Sequence, residues 1–340
     1  MDIVTHGLSG ILLGKATRDK FKKIPPKILV WFFAFSSIFP DFDIIFRLFS
    51  EQLYLKNHRG ITHSLILLPI WSFLITAIYC FILKWKLFLK KHTEEIPSIN
   101  KNTIFELYVI SSFGILFHIS CDLITTYGTM ILSPFDNSKF AYGSVFIIDF
   151  IFSGIIIGGI AISQKYSKYS YKPKVSQFFL LLLIFYVGIT QVLKSNALEK
   201  ARENFYVTNK IKNTSFEAFP QPLSPFKWKV FTFHPENEYF YYAHVDLFNT
   251  NENIKWESTP KWGKTLEVQS LAKTVWLNKD FSLIRNFFSL PTFHSLEEKP
   301  NKICLFFQDL KFSNSYTNNP FIYGLCYYES GVKSIEKLEN

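Results

Sequence analysis

The chain has 340 residues, of which 48% are hydrophobic and 18% aromatic, and this is too apolar for an ordinary soluble domain of that length. The net charge of +10 does not indicate nucleic-acid binding, because the lysines cluster between apolar segments as orienting charges do in membrane proteins. Long apolar runs fill residues 1–195, whereas residues 196–340 read as a soluble, aromatic-rich sequence. We therefore expect two domains, the first of them within a bilayer.

The first domain is predicted to be an α-helical membrane domain of five to six helices. Residues 4–16 are apolar but short for a span, so they predict a re-entrant or interfacial helix. The cations that follow this segment do not fit a cleaved signal peptide, in which they would precede it. Five longer apolar segments predict membrane spans, and they comprise residues 28–49, 62–83, 104–125, 145–163 and 175–193.

The loops between these segments differ in charge, and this difference predicts the orientation of the chain. Lysines and arginines are concentrated in loops 17–27, 84–102 and 164–174, which alternate with the cation-poor loops 50–60 and 126–143. The positive-inside rule places the three basic loops in the cytoplasm. The sequence thus predicts a multi-pass protein of the cytoplasmic (inner) membrane whose residues 196–340 form an extracytoplasmic domain.

Polar residues interrupt the apolar segments at one depth on the predicted outer side. These residues are His6, Asp41, Asp43, His58, Arg59, His63, His118, Asp122 and Asp149. A carboxylate within a span costs roughly 2.5–3.5 kcal/mol on insertion scales, so such residues usually face a cavity or a partner. The charge bias that gave the orientation is independent of these residues. Their common depth therefore predicts that they meet.

The residue types predict a metal site. His118 and Asp122 are spaced to share one helix face, and Pro40 predicts a locally opened helix next to the carboxylates that follow it. Imidazoles and carboxylates together suit zinc, manganese or iron, and two or three ions suit phosphoester hydrolysis. The predicted metal ligands are His6, Asp41, Asp43, His58, His63, His118 and Asp122. Arg59 and Asp149 are predicted catalytic residues, with the Arg59 guanidinium stabilising charge on a phosphate oxygen.

Each of these residues also has an interpretation without a metal. Without a metal, Asp41 and Asp43 would mark a helix end at the water interface, His58 would be a loop histidine, and His63 would follow an N-cap. His6 would be an interfacial residue, and Arg59 would pair with Asp122, with Glu51 or with a lipid phosphate. Asp149 would be a helix-start carboxylate. Each alternative is reasonable alone. The occurrence of all these residues at one depth favours the metal site.

Several of these segments carry a resemblance to a known family. The chain resembles the YdjM family of membrane-bound, metal-dependent hydrolases through THGLSGILLGKA (5–16), FPDFDII (39–45), HRGITHSL (58–65), HISCDLITTYGTMILSPF (118–135) and FIIDF (146–150). The resemblance extends more loosely to PLSPFKWKVF (222–231) and CLFFQDLKF (304–312), where Lys311 stands in place of the usual Arg. The family pattern is similar to those of zinc-dependent phospholipase C and P1-type nucleases. This similarity implies a multinuclear metal site, with zinc the expected ion.

The second domain is predicted to be mainly β, of α+β class. Segments 227–234, 238–248, 265–277 and 303–312 have strand-like composition, and residues 280–289 predict a short helix. His234, His244 and His294 lack ligand spacing and are interpreted as structural or surface residues. Cys304 and Cys326 are candidates for a disulfide in an oxidising compartment, but the sequence leaves this open. The remaining cysteines, Cys80 and Cys121, are predicted to be embedded in the membrane and unpaired.

These observations predict a membrane-bound, metal-dependent hydrolase that acts on a lipid or lipid-linked phosphoester at the outer interface. No nucleic-acid partner is expected, and protein partners are not predicted. The sequence has no zincin H-E-x-x-H, P-loop or G-x-S-x-G motif. The alternative is a non-catalytic metal-binding membrane protein, either a metal transporter or an assembly factor whose outer domain binds a partner.

Overall fold

The chain divides into two compact parts. In this computed structural model the described residues are 1–88, 98–166, 172–209, 214–236, 238–249, 253–313 and 319–338. The helical unit comprises Met1–Phe49 and Asn57–Thr190, and the C-terminal unit comprises Ser50–Lys56 and Gln191–Asn340. The sequence analysis placed the division after residue 195 and assigned residues 50–56 to the first domain.

Seven α-helices and two 3₁₀ segments precede the first strand among the described residues. The helices are α1 (Ile3–Ala16), α2 (Pro26–Ile38), α3 (Glu51–Asn57), α4 (Leu68–Phe88), α5 (Lys101–Leu123), α6 (Phe150–Lys165) and α7 (Lys172–Asn209), and the 3₁₀ segments are Phe39–Leu48 and Ile61–His63. Within the described ranges, four stretches are long and apolar enough to cross a membrane, namely Pro26–Leu48, Leu68–Trp85, Lys101–Leu123 and Pro173–Thr208. The predicted fold class, a helical membrane domain followed by a mainly β domain, is confirmed.

Two of the predicted spans begin later than the sequence analysis placed them. The 62–83 segment becomes helical only at Leu68, because the Ser64 hydroxyl accepts the N–H groups of Ile66 and Leu67 and ends the preceding 3₁₀ turn. The 145–163 segment becomes helical at Phe150, where Asp149 is the N-cap. The resulting α6 has 16 residues, fewer than the roughly 20 that a straight span needs.

Small residues bring α1, α2 and α5 close together. A Cβ on Gly10 would lie 2.7 Å from the Cα of Ala34, and one on Gly114 would lie 2.6 Å from the Cβ of Ser36. Close helix approach of this kind needs glycine at the contact. Around these contacts the core of the helical unit contains Leu29, Phe32, Phe33, Ile75, Leu107, Ile110, Ile115 and Ile119. The packing sets the first turns of α1 beside the end of α2 and the last turns of α5.

The described part of the C-terminal unit contains two four-stranded antiparallel sheets. The first has the order β1 (Phe216–Pro220), β2 (Lys227–His234), β3 (Tyr239–Asp246), β4 (Trp256–Pro260), and the second has the order β5 (Pro291–Lys299), β6 (Lys302–Asp309), β7 (Ile322–Tyr328), β8 (Lys333–Lys337). Ala197 and Ala201 of α7 pack against Trp228 and Val230 of the first sheet. Cys304 and Cys326 lie opposite each other on β6 and β7 and form a disulfide. Among the described residues the free cysteines are Cys80, half-buried, and Cys121, buried.

One predicted strand of this unit is wrong. Segment 265–277 forms a helix, α8 (Leu266–Leu277), because Thr265 caps its N-terminus and Ala272, Val275 and Trp276 are buried at helical spacing. The strands predicted at 227–234, 238–248 and 303–312 correspond to β2, β3 and β6. The short helix predicted at 280–289 is a 3₁₀ turn (Lys279–Phe281) followed by α9 (Ser282–Phe287).

Candidate metal centre

The candidate metal centre is assembled from five segments of the helical unit. His6 lies on α1, Asp41 and Asp43 on the 3₁₀ segment after α2, His58 and Arg59 in the loop after α3, His63 on the second 3₁₀ turn, and His118 and Asp122 on α5. Helix α2 ends at Ile38, and the chain continues as a 3₁₀ helix through Pro40 to Leu48. This change of helix type is the local opening that Pro40 predicts. It turns both carboxylates of the segment toward the helical unit's interior, where Asp43 is 1% exposed.

Four ligand-type side chains converge at the centre of this site. His6, Asp41, His118 and Asp122 each offer one ligand atom, and these atoms all lie within 4.8 Å of one another. His63 joins them, because its Nε2 lies 3.0 Å from His118 Nε2 and 3.2 Å from Asp122 Oδ2. The His6 and His118 rings are stacked with their centroids 3.6 Å apart. We refer to these five residues as the inner cluster.

The hydrogen bonds behind the inner cluster orient its imidazoles. His118 Nδ1 lies 2.6 Å from the carbonyl oxygen of Ser37, which can only accept, so Nδ1 carries the proton. The lone pair of His118 therefore lies on Nε2, which points at the cluster. The Thr62 hydroxyl lies 3.0 Å from His63 Nδ1 and leaves the Nε2 of that ring facing the same point. Outer hydrogen bonds of this kind are typical of metal-binding histidines.

Asp43 and His58 lie beside the inner cluster rather than within it. Asp43 Oδ1 is 3.0 Å from His58 Nδ1, and Asp43 Oδ2 accepts the backbone N–H of Arg59 at 2.9 Å. Asp43 Oδ2 also approaches His63 Nδ1 at 3.7 Å. The predicted ligand set thus separates into a group of five and a neighbouring pair. Burial lowers the pKa of His58, so this imidazole is favoured in the neutral form that a metal requires.

Arg59 contacts Asp122, which is one of the interpretations that the sequence left open. Its Nη2 lies 2.8 Å from Asp122 Oδ1, its Nη1 donates to the Thr125 hydroxyl at 3.1 Å, and its guanidinium lies 4.8 Å from the Tyr127 ring centroid. Arg59 itself adopts the left-handed conformation with a φ of 57°, whereas Gly60 has a φ of −98°. The left-handed residue of this turn is therefore Arg59, not the glycine that follows it. At Gly60 a Cβ would lie 2.8 Å from the carbonyl oxygen of Asn57.

Asp149 does not join the cluster. Its side chain accepts the Phe152 N–H at 2.8 Å as the N-cap of α6, and it accepts the Tyr186 hydroxyl at 2.8 Å. This is the helix-start arrangement that stood as the alternative to a catalytic role. The three histidines of the C-terminal unit, His234, His244 and His294, also belong to no metal-ligand group found among the described residues.

The inner cluster and its surroundings fit a divalent metal ion. Among the described residues, the buried His6 Nδ1 and Arg59 Nε have no hydrogen-bond partner. Burial alone would lower the pKa of His63, but the Asp122 and Asp41 carboxylates outweigh it and raise this pKa, so the environment favours a positive charge at that place. A donor set of imidazole nitrogens and carboxylate oxygens suits zinc, manganese or iron.

Four residues that support the inner cluster were not predicted to do so, namely Ser37, Thr62, Thr125 and Tyr127. Ser37 contributes its backbone carbonyl, which no side-chain pattern reveals. Thr62, Thr125 and Tyr127 lie inside the segments that carry the family resemblance, and their position beside presumed ligands was the available signal. Residues of this second layer commonly fix the orientation of metal ligands.

Comparisons with known proteins identify a family and a relative. A family described as YdjM inner membrane protein matches residues 1–197, which include every residue of the candidate metal centre. The chain is 30% identical over 158 residues to the uncharacterized protein YfhP of Bacillus subtilis (strain 168). That alignment covers 45% of this chain and 43% of the relative, so the chain spans less than half of the relative's length. No solved structure matches the chain.

Proposed function

The chain belongs to the YdjM inner membrane protein family. From the chemistry of its inner cluster we propose that it is a membrane-bound, metal-dependent hydrolase of lipid or lipid-linked phosphoesters. The observation that carries the proposal is the convergence of His6, Asp41, His63, His118 and Asp122 on one buried point. Buried carboxylates are costly unless cations compensate them. The Arg59 guanidinium and the N-terminal ammonium of Met1 already contact Asp122, and a metal ion would add positive charge at the point where the three imidazoles also converge.

The inner cluster would hold the first metal ion, and Asp43 with His58 would contribute to a second. When bound, divalent ions supply Lewis-acid activation of a phosphoester and of the attacking water. Zinc is the ion we expect, with manganese and iron as the other candidates for this donor set. His118 and His63 would present Nε2 to the ion because their Nδ1 atoms are engaged elsewhere.

Arg59 would bind the substrate phosphate. A guanidinium cannot bind a cationic metal, but its planar fork matches two phosphate oxygens. In the structure the Arg59 guanidinium contacts Asp122 and Thr125. A cation on Asp122 would weaken that ion pair, and the Arg59 guanidinium would then be able to turn to the substrate.

The charge pattern and the disulfide support an extracytoplasmic location for the reaction. The basic loops predict that the metal centre and the C-terminal unit lie on the outer side of the cytoplasmic membrane. A disulfide between Cys304 and Cys326 fits an oxidising compartment. Phosphoesters accessible at that interface are those of lipid head groups and of lipid-linked intermediates.

One observation favours the alternative function of metal transport. Glu106 lies on α5 within the candidate span Lys101–Leu123, and its Oε2 is buried without a partner. Its distance from Asp122 along the helix is roughly 24 Å at the usual rise of 1.5 Å per residue. Between them Ser111 donates to the backbone of Ser72 at 3.1 Å. Polar groups through the depth of a span are typical of an ion pathway.

Metal analysis combined with two activity assays distinguishes the candidates. The purified full-length protein would be tested for bound metal, for hydrolysis of phospholipid and lipid-linked phosphoesters, and for metal uptake into vesicles. We expect metal-dependent hydrolysis that a chelator abolishes. His63→Ala should lose metal and activity, whereas His234→Ala should retain both. Metal-loaded protein that hydrolyses none of these substrates but transports the ion would establish the alternative.

A further inference from the structure

An apolar groove runs between α2 and α4 of the helical unit. Both helices pack against α5 more closely than against each other, and the groove lies between them. Phe32 and Ile75 form its base and are 2% and 1% exposed, and the Phe32 and Tyr79 ring centroids are 4.5 Å apart. The groove has a volume of about 250 Å³. Sites for compact small molecules have roughly 300–1,000 Å³, so this space suits a slender chain.

The rim of the groove is apolar and exposed on the helical unit. Trp31 and Phe35 are one turn apart on α2, as Ile78 and Ile82 are on α4, and all four are 42–67% exposed. Both helices belong to candidate membrane spans. Within a bilayer the groove would therefore open to lipid chains rather than to water.

Aromatic rings connect the groove to the candidate metal centre. The Phe35 ring centroid lies 5.8 Å from that of Phe42, which stands between Asp41 and Asp43 in the sequence and is 46% exposed. Of the inner cluster, the Asp41 side chain is 13% exposed and the other four are 0% exposed. The cluster is thus most accessible at Asp41, and the exposed apolar surface that begins at the groove ends beside that residue.

The length of this surface matches one leaflet of a bilayer. Trp31 is the groove residue of α2 farthest from Asp41, and it lies ten residues before it. At the usual rises of an α-helix and a 3₁₀ helix this separation is roughly 16 Å. The hydrocarbon of one leaflet is about 15 Å thick, half of a core of about 30 Å. A lipid with its phosphoester at Asp41 would therefore have one chain alongside the whole groove.

We propose that the α2–α4 groove binds one hydrocarbon chain of a phospholipid whose head group lies at the candidate metal centre. The identification of this lipid as the substrate rests on the proposed function, whereas the binding itself requires no turnover. Lipid tails surround every exposed apolar side chain in a bilayer, so apolar character alone does not retain a chain. Packing against the base of the groove and the position of the head group distinguish the bound chain from bulk lipid.

Photo-crosslinking tests this site without requiring turnover. The full-length protein would be placed in phospholipid nanodiscs that contain a small fraction of phosphatidylcholine with a diazirine midway along one chain, and labelled peptides would be mapped by mass spectrometry. We expect the groove residues of α2 and α4 to be labelled severalfold more than Leu181 and Phe185 of α7, which are 64% and 65% exposed and serve as the reference for bulk lipid. A diazirine next to the head group should instead label the 3₁₀ segment Phe39–Leu48.

A matched pair of substitutions tests the groove itself. Ile78→Trp adds a bulky ring at the rim and should reduce labelling of the groove severalfold. Ile157→Trp on α6 is the control, because Ile157 is 54% exposed and Ile78 is 55% exposed. If Ile78→Trp fails to fold, Ile82→Trp takes its place. Groove labelling no stronger than that of α7, labelling unchanged by the groove variant, or a head-group probe that does not label Phe39–Leu48 would each overturn the proposal.

Hydrolysis assays on the same samples separate this proposal from the proposed function. Specific groove labelling in a protein that hydrolyses no phosphoester would refute the hydrolase and leave the lipid site in place. Hydrolysis without specific labelling would support the hydrolase and overturn the groove as the position of the chain. Where both are found, Ile78→Trp should lower the ratio of kcat/KM for long-chain over short-chain substrates, and Ile157→Trp should not.

Discussion

Replacing Asp122 with asparagine should have two separable effects on the helical unit. The carboxylate contacts Arg59 Nη2 at 2.8 Å, His6 Nε2 at 3.2 Å and His63 Nε2 at 3.2 Å, and it is fully buried. Asn has nearly the same size but no charge. We therefore expect Asp122→Asn to lose its bound metal, and we expect the metal-free protein to be destabilised because the Arg59 guanidinium loses its buried counter-charge.

The size of the second effect follows from the burial of the pair. The Arg59 side chain is 4% exposed and that of Asp122 is 0% exposed. Breaking a buried ion pair by removing one partner costs about 3–5 kcal/mol. Removing both charges of a pair is often neutral, but the buried N-terminal ammonium of Met1 also contacts Asp122. The double variant Arg59→Met with Asp122→Asn should therefore regain part of this stability. It should not regain metal, since the carboxylate ligand is still absent.

The matched control is the same substitution at Asp149. Asn is as good an N-cap as Asp, so Asp149→Asn should retain α6, the metal and most of the stability. Metal would be quantified by elemental mass spectrometry, and stability by thermal unfolding in detergent with a chelator present. Equal metal content in Asp122→Asn and Asp149→Asn would refute the role of Asp122 as a ligand. A double variant as unstable as Asp122→Asn alone would refute the ion-pair explanation.

Three further predictions concern orientation, substrate binding and the disulfide. A reporter fused after Asn340 should be active only on the outer side of the membrane, and cytoplasmic activity would contradict the predicted orientation. Arg59→Lys should retain the fold and the metal but lose roughly 10²–10³-fold in turnover on a phosphoester, because a point charge cannot replace a bidentate donor. Wild-type turnover in metal-loaded Arg59→Ala would exclude phosphate binding by Arg59. Cys304→Ser should lower the free energy of unfolding of the C-terminal unit by about 3 kcal/mol, the usual effect of losing a cross-link that closes a loop of this length. Thermal unfolding with and without reductant measures this. If reductant destabilised the variant as much as the wild type, the disulfide would not be the cause.

The membership of the inner cluster was predictable because it depends on coarse features of the sequence. The charge of the loops predicts which end of each span is the outer one, and the clustered residues share that end. No angle or contact is needed for that inference. His118 and Asp122 in particular share a helix face by their spacing alone.

The separation of Asp43 and His58 from the inner cluster was not predictable in the same way. It depends on the rotation of the 3₁₀ segment after Pro40 and on the positive φ of Arg59, and neither is encoded by hydropathy. The position of Asp149 depends on where α6 begins, and helix ends are the least certain part of any sequence interpretation. A carboxylate before an apolar segment is as typical of a cap as of a ligand.

The misassigned α8 shows how composition can mislead. Residues 265–277 contain Val268, Thr274, Val275 and Trp276, whose types are enriched in strands. Burial at Ala272, Val275 and Trp276 follows the helical period instead. The Thr265 cap was a usable signal in the sequence, since a threonine before an apolar run is a common helix start.

X-ray absorption at the metal edge of the purified, full-length protein tests the metal centre most directly. The inner cluster predicts a stoichiometric divalent ion with only nitrogen and oxygen ligands at about 2.0–2.2 Å, including backscattering from imidazole rings. His118→Ala should reduce the imidazole signal or abolish the metal. A protein without bound metal, or one with a sulfur ligand at about 2.3 Å, would contradict the site, because the inner cluster contains no thiolate.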